Sequence, residues 1–388
     1  APNEAARQFC DCCYIFTFLK YTGTLDTLYS NRTMSGEKRS AADSFGSNQL
    51  VKRQRSEAEL NGGQLTRANG SSALVQGNAA APLQAPVMQL NGHSAEITTT
   101  RFSPAGSALA SGSMDRDILL WRTAGECENY GKLSGHKSAV LDLQWSRDSG
   151  VVYSASADAT VASWDLERGE RIRRHQGHEE VVNAIDVSRR GEEFIVSACD
   201  DGFIGLWDPR AKAAMDFLEV EGQYPVTAVA LGEAGNEVFS GGIDNEIKVW
   251  DLRMHKVAYT LQGHTDTVTS VAVSPDSQSL LSFSHDGTAR TWDIRPFAPE
   301  NRLINTFDGA QVGLEKNLIR ACWDSEGRKI AAGGGDGTVT VWEATSGKML
   351  HKLPGHKGTV NDVRISPEGG MVVSGSTDRT MLLGELPR

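Results

Sequence analysis

Histidine, serine and aspartate recur together along this chain in sets that would suit nucleophilic acyl transfer, in which an imidazole takes a hydroxyl proton while a carboxylate fixes the ring. His93 is followed by Ser111 and Asp115, His136 by Ser154 and Asp158, and His178 by Ser197 and Asp201. His264 is followed by Ser282 and Asp286, and His356 by Ser374 and Asp378. Ser240 and Asp244 lack the histidine, and Asp336 lacks both partners, with Ala332 in the serine slot. Nucleophilic sites do not come in sixes, so the recurrence argues for a structural chain of hydrogen bonds: Asp accepts from the imidazole, the ring donates to Ser, and Ser accepts from an indole N–H. The indoles are Trp121, Trp164, Trp207, Trp250, Trp292 and Trp342, each six residues after its aspartate, with Gly384 at that mark after Asp378.

Short strands must position such a chain. The tryptophans lie 43, 43, 43, 42 and 50 residues apart, the period of a four-stranded propeller blade. Between them, runs such as Thr338-Val339-Thr340-Val341-Trp342 are rich in β-branched residues, and Asp201-Gly202, Asp286-Gly287 and Asp336-Gly337 read as hairpin turns. The fold class is all-β. Gly-His pairs open five units at Gly92, Gly135, Gly177, Gly263 and Gly355, and Trp-Asp closes four at Trp164, Trp207, Trp250 and Trp292.

These motifs resemble the WD40 family over roughly residues 86–388. The resemblance implies a seven-bladed β-propeller in which the segment before each Gly-His is the outer strand of the preceding blade. Residues 86–90 have no blade before them, and the chain ends after a third strand at Met381-Leu382-Leu383. The two ends are expected to pair and close the ring, which removes an exposed sheet edge. Units four and six, with Gly222-Gln223-Tyr224-Pro225 in place of Gly-His and about seven extra residues respectively, are degenerate.

The net charge is −10. Residues 1–33 are neutral and residues 34–81 carry +2, so the propeller holds −12. An acidic propeller is a poor ligand for phosphate backbones, which makes RNA contact indirect or minor and proteins the expected partners. Cys127, Cys199 and Cys322 stand singly, as in a reducing compartment, while Cys10, Cys12 and Cys13 lack the C-x₂-C spacing and second pair of a zinc site. The chain carries no G-x-x-x-x-G-K-[ST], H-E-x-x-H or G-x-S-x-G motif, and neither a cofactor nor a small-molecule substrate is implied. The apolar run Cys12–Leu19 is too short to span a bilayer. Residues 1–33 are expected to be upstream translated sequence ahead of a native start at Met34. Residues 34–85 are rich in Ser, Gly, Asn, Gln and Ala and read as a disordered extension, in which Lys52, Arg53 and Arg55 form a compact basic cluster suited to nuclear import.

Further segments narrow the resemblance. Val51-Lys52-Arg53-Gln54-Arg55 with its linker, Gln84-Ala85-Pro86-Val87-Met88, Asp293-Ile294-Arg295-Pro296-Phe297-Ala298-Pro299, Glu315-Lys316-Asn317-Leu318 and Leu353-Pro354-Gly355-His356 together resemble the WD40-subunit family of the U5 small nuclear ribonucleoprotein. That likeness implies a nuclear, non-catalytic scaffold in pre-mRNA splicing that docks on the large U5 core protein, pre-mRNA-processing-splicing factor 8. Residues 1–33 and the end Gly384–Arg388 depart from the family.

Two surfaces are candidates for docking. Met114, Ala157, Asp200, Ile243, His285, Gly335 and Thr377, each just before a turn aspartate or its equivalent, should ring one face, with Met114 and Ile243 apolar where exposure is expected. The stretch Arg295–Asn317, irregular around Pro296, Phe297 and Pro299, reads as a long rim loop free of repeat duty. A rival function is a substrate receptor of a cullin-RING ubiquitin ligase, whose Trp-Asp-x-Arg pattern is matched at Arg210, Arg253 and Arg295. For an enzyme, His285 is the sole candidate acid–base group on that face.

Overall fold

The computed structural model describes residue 83 and residues 85–386. The expectations for residues 1–33, for Cys10, Cys12 and Cys13, for most of 34–85 and for the basic cluster Lys52, Arg53 and Arg55 fall outside the described residues.

Twenty-eight strands form seven antiparallel sheets of four, and the described residues contain no helix. Blade one, for example, runs through Ile97–Phe102, Ala108–Ser113, Asp117–Arg122 and Asn129–Ser134, from the axis outward. The innermost strands of successive blades touch in sequence, and Val360–Ile365 of blade seven returns to Ile97–Phe102, so the ring is closed. Closure also joins the two ends of the described chain: Val87–Asn91 is the outer strand of blade seven, with Val87 opposite Gly384 and Asn91 opposite Thr380.

The core lies between blades. Val196, Ile204 and Leu206 of blade three interdigitate with Val229, Val238 and Trp250 of blade four, and equivalent layers repeat around the ring. Each layer needs both blades to leave water, which ties the stability of the ring to its completeness.

Every second-to-third-strand turn bends the same way. The residue after the turn aspartate has positive φ in all seven blades: Arg116, Ala159, Gly202, Asn245, Gly287, Gly337 and Arg379. Glycine takes this conformation without a Cβ clash. At Arg116, Ala159 and Arg379 an L side chain is held there by the surrounding bonds.

The rim reading of Arg295–Asn317 needs correction. Leu303–Phe307, in its middle, is the outer strand of blade five, pairing Phe307 with Ala289 and Leu303 with Trp292. Repeat duty therefore splits the stretch into two loops on opposite faces, because strands alternate in direction. Residues 294–302 lie on one face. Residues 308–320 lie on the other, with the turn aspartates.

Candidate interaction surfaces

In four blades the hydrogen-bond chain runs unbroken from aspartate to indole. His93 Nδ1 lies 2.9 Å from Asp115 Oδ2 and its Nε2 lies 2.8 Å from Ser111 Oγ, which accepts from Trp121 Nε1 at 2.9 Å. The same geometry recurs at His136, His178 and His264. At His356 it stops at Ser374, since Gly384 supplies no indole. A carboxylate only accepts, so Nδ1 carries the proton toward it. Burial pushes the pKa of His93 and His356 down against the pull of Asp115 and Asp378, leaving neutral rings whose Nε2 accepts the serine proton. The sequence reading had the ring donating to serine; neutrality reverses that bond.

Aspartate is required because both its oxygens are used. In blade three, Asp201 Oδ1 accepts from Phe203 N at 2.9 Å to close the turn, while Oδ2 takes His178 and Glu179 N. Burial opposes charge on Asp115, Asp201 and Asp378, yet these donors outweigh it and hold the carboxyls below the ordinary range. Both shifts have the same sign for stability. A group whose folded pKa is depressed contributes above its unfolded value and loses that contribution as pH falls. The melting temperature is therefore expected to drop as pH passes below about 6.5, where free histidine charges, and again near about 4 as free carboxylates protonate. Circular dichroism melts between pH 8 and pH 4 check this, and a flat profile would contradict it.

The degenerate blades use substitutes. In blade four Trp250 Nε1 still reaches Ser240 Oγ at 2.8 Å, and Asp244 pairs with Lys248. In blade six Trp342 Nε1 donates to Asp308 O at 3.0 Å, and Asp336 pairs with Lys352 at 2.8 Å while remaining exposed. Asp158, by contrast, is half-buried with its side chain only 5% exposed and serves His136, Lys137 N and Thr160. Asp158→Ala is expected to cost about 1–3 kcal/mol by stranding a buried donor, and Asp336→Ala less. Equal losses in urea titrations would remove the shared network as the source of stability.

The network does not act as a nucleophile. Ser111, Ser154, Ser197 and Ser282 are fully buried, and each accepts from its indole while facing the imidazole. No substrate can reach such a hydroxyl without unfolding the blade. His178, Cys199 and Asp201 lie close enough to suggest metal ligation, but both nitrogens of His178 are already committed to Asp201 and Ser197.

The seven residues before the turn aspartates form a ring. Each backbone N–H donates to the carbonyl of the facing loop: Met114 to Glu96, Ala157 to Ala139, Asp200 to Val181, Ile243 to Pro225, His285 to Thr267, Gly335 to Gln311 and Thr377 to Thr359. Met114, Ile243, Asp200 and Thr377 are half-buried. His285 departs from expectation: it is buried, its Nε2 is 3.1 Å from Asn317 O, and burial pushes its pKa down. It fixes the 308–320 loop and offers neither a contact to a partner nor an exposed acid–base group.

Among the described residues, two apolar side chains stand fully in solvent, Phe297 on the 294–302 loop and Leu314 on the 308–320 loop. Exposed Pro296 and Pro299 flank Phe297. The base of its loop is braced by Arg302, which donates to Asp293 O and Arg295 O at 3.0 Å each and lies 4.1 Å over the Tyr259 ring. Leu314 tips a turn held by Lys316 on Asp266 at 3.1 Å and by Asn317 on Asn361 at 3.2 Å. Sequence reasoning missed Leu314, whose neighbours give no periodic cue. Arg295 is captured by Asp293, Nε to Oδ1 at 2.9 Å, the aspartate of its own Trp-Asp pair rather than an acid on the next blade. Arg210 and Arg253 are exposed.

Comparison with known proteins follows the same lines. Residues 137–383 match the β-propeller family described as nucleolar protein 10-like, N-terminal domain, and residues 84–122 match the WD domain, G-beta repeat. The chain is 46% identical to the pre-mRNA-splicing factor cwf17 of Schizosaccharomyces pombe over 87% of its own length and 100% of that protein. It is 44% identical to the human U5 small nuclear ribonucleoprotein 40 kDa protein and 41% identical to that of Dictyostelium discoideum, over 87% and 88% of this chain and 95% of each relative. With its seven closed blades and this likeness along nearly the whole of those relatives, the chain belongs to the WD40-propeller family of U5 small nuclear ribonucleoprotein 40 kDa proteins.

Proposed function

We propose that this chain is a non-catalytic, nuclear scaffold of the spliceosome that docks on the large U5 core protein, pre-mRNA-processing-splicing factor 8, with Phe297 as an anchor. The observation that carries the reading is the likeness along the whole propeller to proteins named as splicing factors and U5 subunits. Docking through Phe297 is supported by its full exposure on a loop fixed by two prolines and braced by Arg302. An aromatic side chain on a braced loop has only two torsions to fix on binding and brings a large apolar area.

The test compares full-length wild type, Phe297→Ser and Leu314→Ser for binding to the purified core protein by surface plasmon resonance. Truncating a central aromatic anchor costs about 2 kcal/mol or more, so Phe297→Ser is expected to weaken binding roughly 30-fold with no change in melting temperature. An unchanged Kd for Phe297→Ser together with a loss for Leu314→Ser would move the docking site to the opposite face.

A further inference from the structure

The axis of the propeller is lined by the inner strands, and their third and fifth positions form two rings. The third positions are Thr99, Asp142, Ala184, Ala228, Ser270 and Asp362 and the fifth Arg101, Gln144, Asp186, Ala230, Ala272 and Arg364; in blade six, whose inner strand is only Ala321–Trp323, register puts Arg320 and Cys322 in the corresponding places. The distribution is lopsided. Blades six, seven, one, two and three supply three arginines and three aspartates, whereas blades four and five supply three alanines and a serine. Small residues opposite long ones leave a polar cavity of about 70 Å³ lined by Arg101, Arg320, Arg364, Asp186, Gln144 and Ala272, among others, with exposed Arg189 also contributing. About 10–15 Å³ suffices for one water, so the space exceeds a single solvent molecule.

The three carboxylates each accept from neutral donors, while Asp362 Oδ1 is left with no hydrogen-bond partner among the described residues. Asp142 accepts from Leu143 N at 2.8 Å and Ile185 N at 3.1 Å, Asp186 from Leu231 N at 2.8 Å and Gln144 at 2.7 Å, and Asp362 from Thr100 N at 2.7 Å. Three aspartates balance the three guanidiniums in formal charge while the backbone donors stabilise those carboxylates, so the surplus positive charge at the cavity is that of Arg189. Arg320 and Arg101 also hold Asp142, at 2.7 Å and 3.1 Å, but Arg364 reaches only Asp362, at 3.1 Å, and Ala321 O, at 3.5 Å. Its Nε is buried and has no hydrogen-bond partner among the described residues. A buried charged donor without an acceptor is costly, and this one belongs to a side chain that lines the cavity. Arg101 adds to the burial that presses the Arg364 pKa down, a repulsion an anion would relieve.

We propose that this part of the central channel binds a small tetrahedral oxyanion of the phosphate class, held by Arg364 in the field of Arg101, Arg320 and Arg189. The phosphate enters as a free ion or as the phosphoryl group of a modified side chain; the cavity accommodates the charged group and no larger ligand. Inorganic phosphate and O-phosphoserine, each at constant ionic strength against chloride, distinguish these sources when titrated into the full-length chain by calorimetry. Saturable 1:1 binding of phosphate, with none for chloride, is the expected result. Arg364→Gln removes a charge-assisted bond and is expected to weaken binding at least about tenfold. Ala272→Leu keeps every charge, extends a half-buried side chain into the cavity, and is expected to abolish binding even if Arg364→Gln fails to fold. Equal responses to phosphate and chloride, or binding unaffected by Ala272→Leu, would overturn the site and leave a water-filled channel.

Discussion

Asp142→Ala is expected to lower stability by about 3–5 kcal/mol, the range for removing one partner of a buried ion network. Asp142 is 1% exposed and gathers five donors, Arg101, Arg320, Thr99, Leu143 N and Ile185 N, while Arg320 also donates to Leu141 O and Asn183 O. Burial works against its charge, and Arg320 and Arg101 nevertheless hold its pKa below the ordinary value. Without the carboxylate both guanidiniums stay buried and uncompensated. The effect reaches across the ring, since Arg320 belongs to blade six and Asp142 to blade two. Urea unfolding of wild type and variant measures it. A loss below about 1 kcal/mol, the scale of a single ordinary hydrogen bond, would mean that water replaces the carboxylate freely.

Removing Val87–Asn91 is expected to be of similar size or larger. These residues supply the outer strand of blade seven, and Leu90, with Met88 against it, packs among Trp121, Met381 and Leu383. Burying Leu and Met side chains stabilises by about 1.5–3 kcal/mol each, and the strand also covers the edge of Thr380–Glu385, which would otherwise be open to pairing with other chains. A chain beginning at residue 92 is therefore expected to melt well below one beginning at residue 83 and to elute partly as aggregate in size-exclusion chromatography. Coincident melting curves and a monomeric profile for both would show that the ring does not depend on closure by its first strand.

How much of this was legible in the sequence depends on the range of the interaction. Asp, Ser and Trp sit at fixed short offsets because one turn and two paired strands place them, so Asp158, Ser154 and Trp164 announce their contact by spacing alone. Ring closure was legible for the same reason, as an outer strand at 86–90 with no blade before it. Arg320 and Asp142 are 178 residues apart, and nothing local marks them; only the strand register that places both on the axis brings them together. Leu303–Phe307 was read as loop because Asn305 and Thr306 interrupt its apolar alternation, yet backbone pairing to Ala289–Trp292 holds it as a strand. His285 was expected at the surface because it precedes a turn aspartate, and its counterparts in the other blades are half-buried. The insertion that covers it is peculiar to blade six. The bond between His93 and Ser111 was found, but its direction depends on burial, which spacing does not encode.

The central claim is that this propeller serves the spliceosome through U5 proteins. Affinity purification of the tagged full-length chain from nuclear extract, with mass spectrometry of bound proteins and probing for small nuclear RNAs, tests it most directly. Recovery of the large U5 core protein together with U5 RNA, and its loss with Phe297→Ser, is the predicted result. Recovery of a cullin-RING ligase adaptor in place of U5 components, abolished by substituting Arg253 and Arg295, would contradict it.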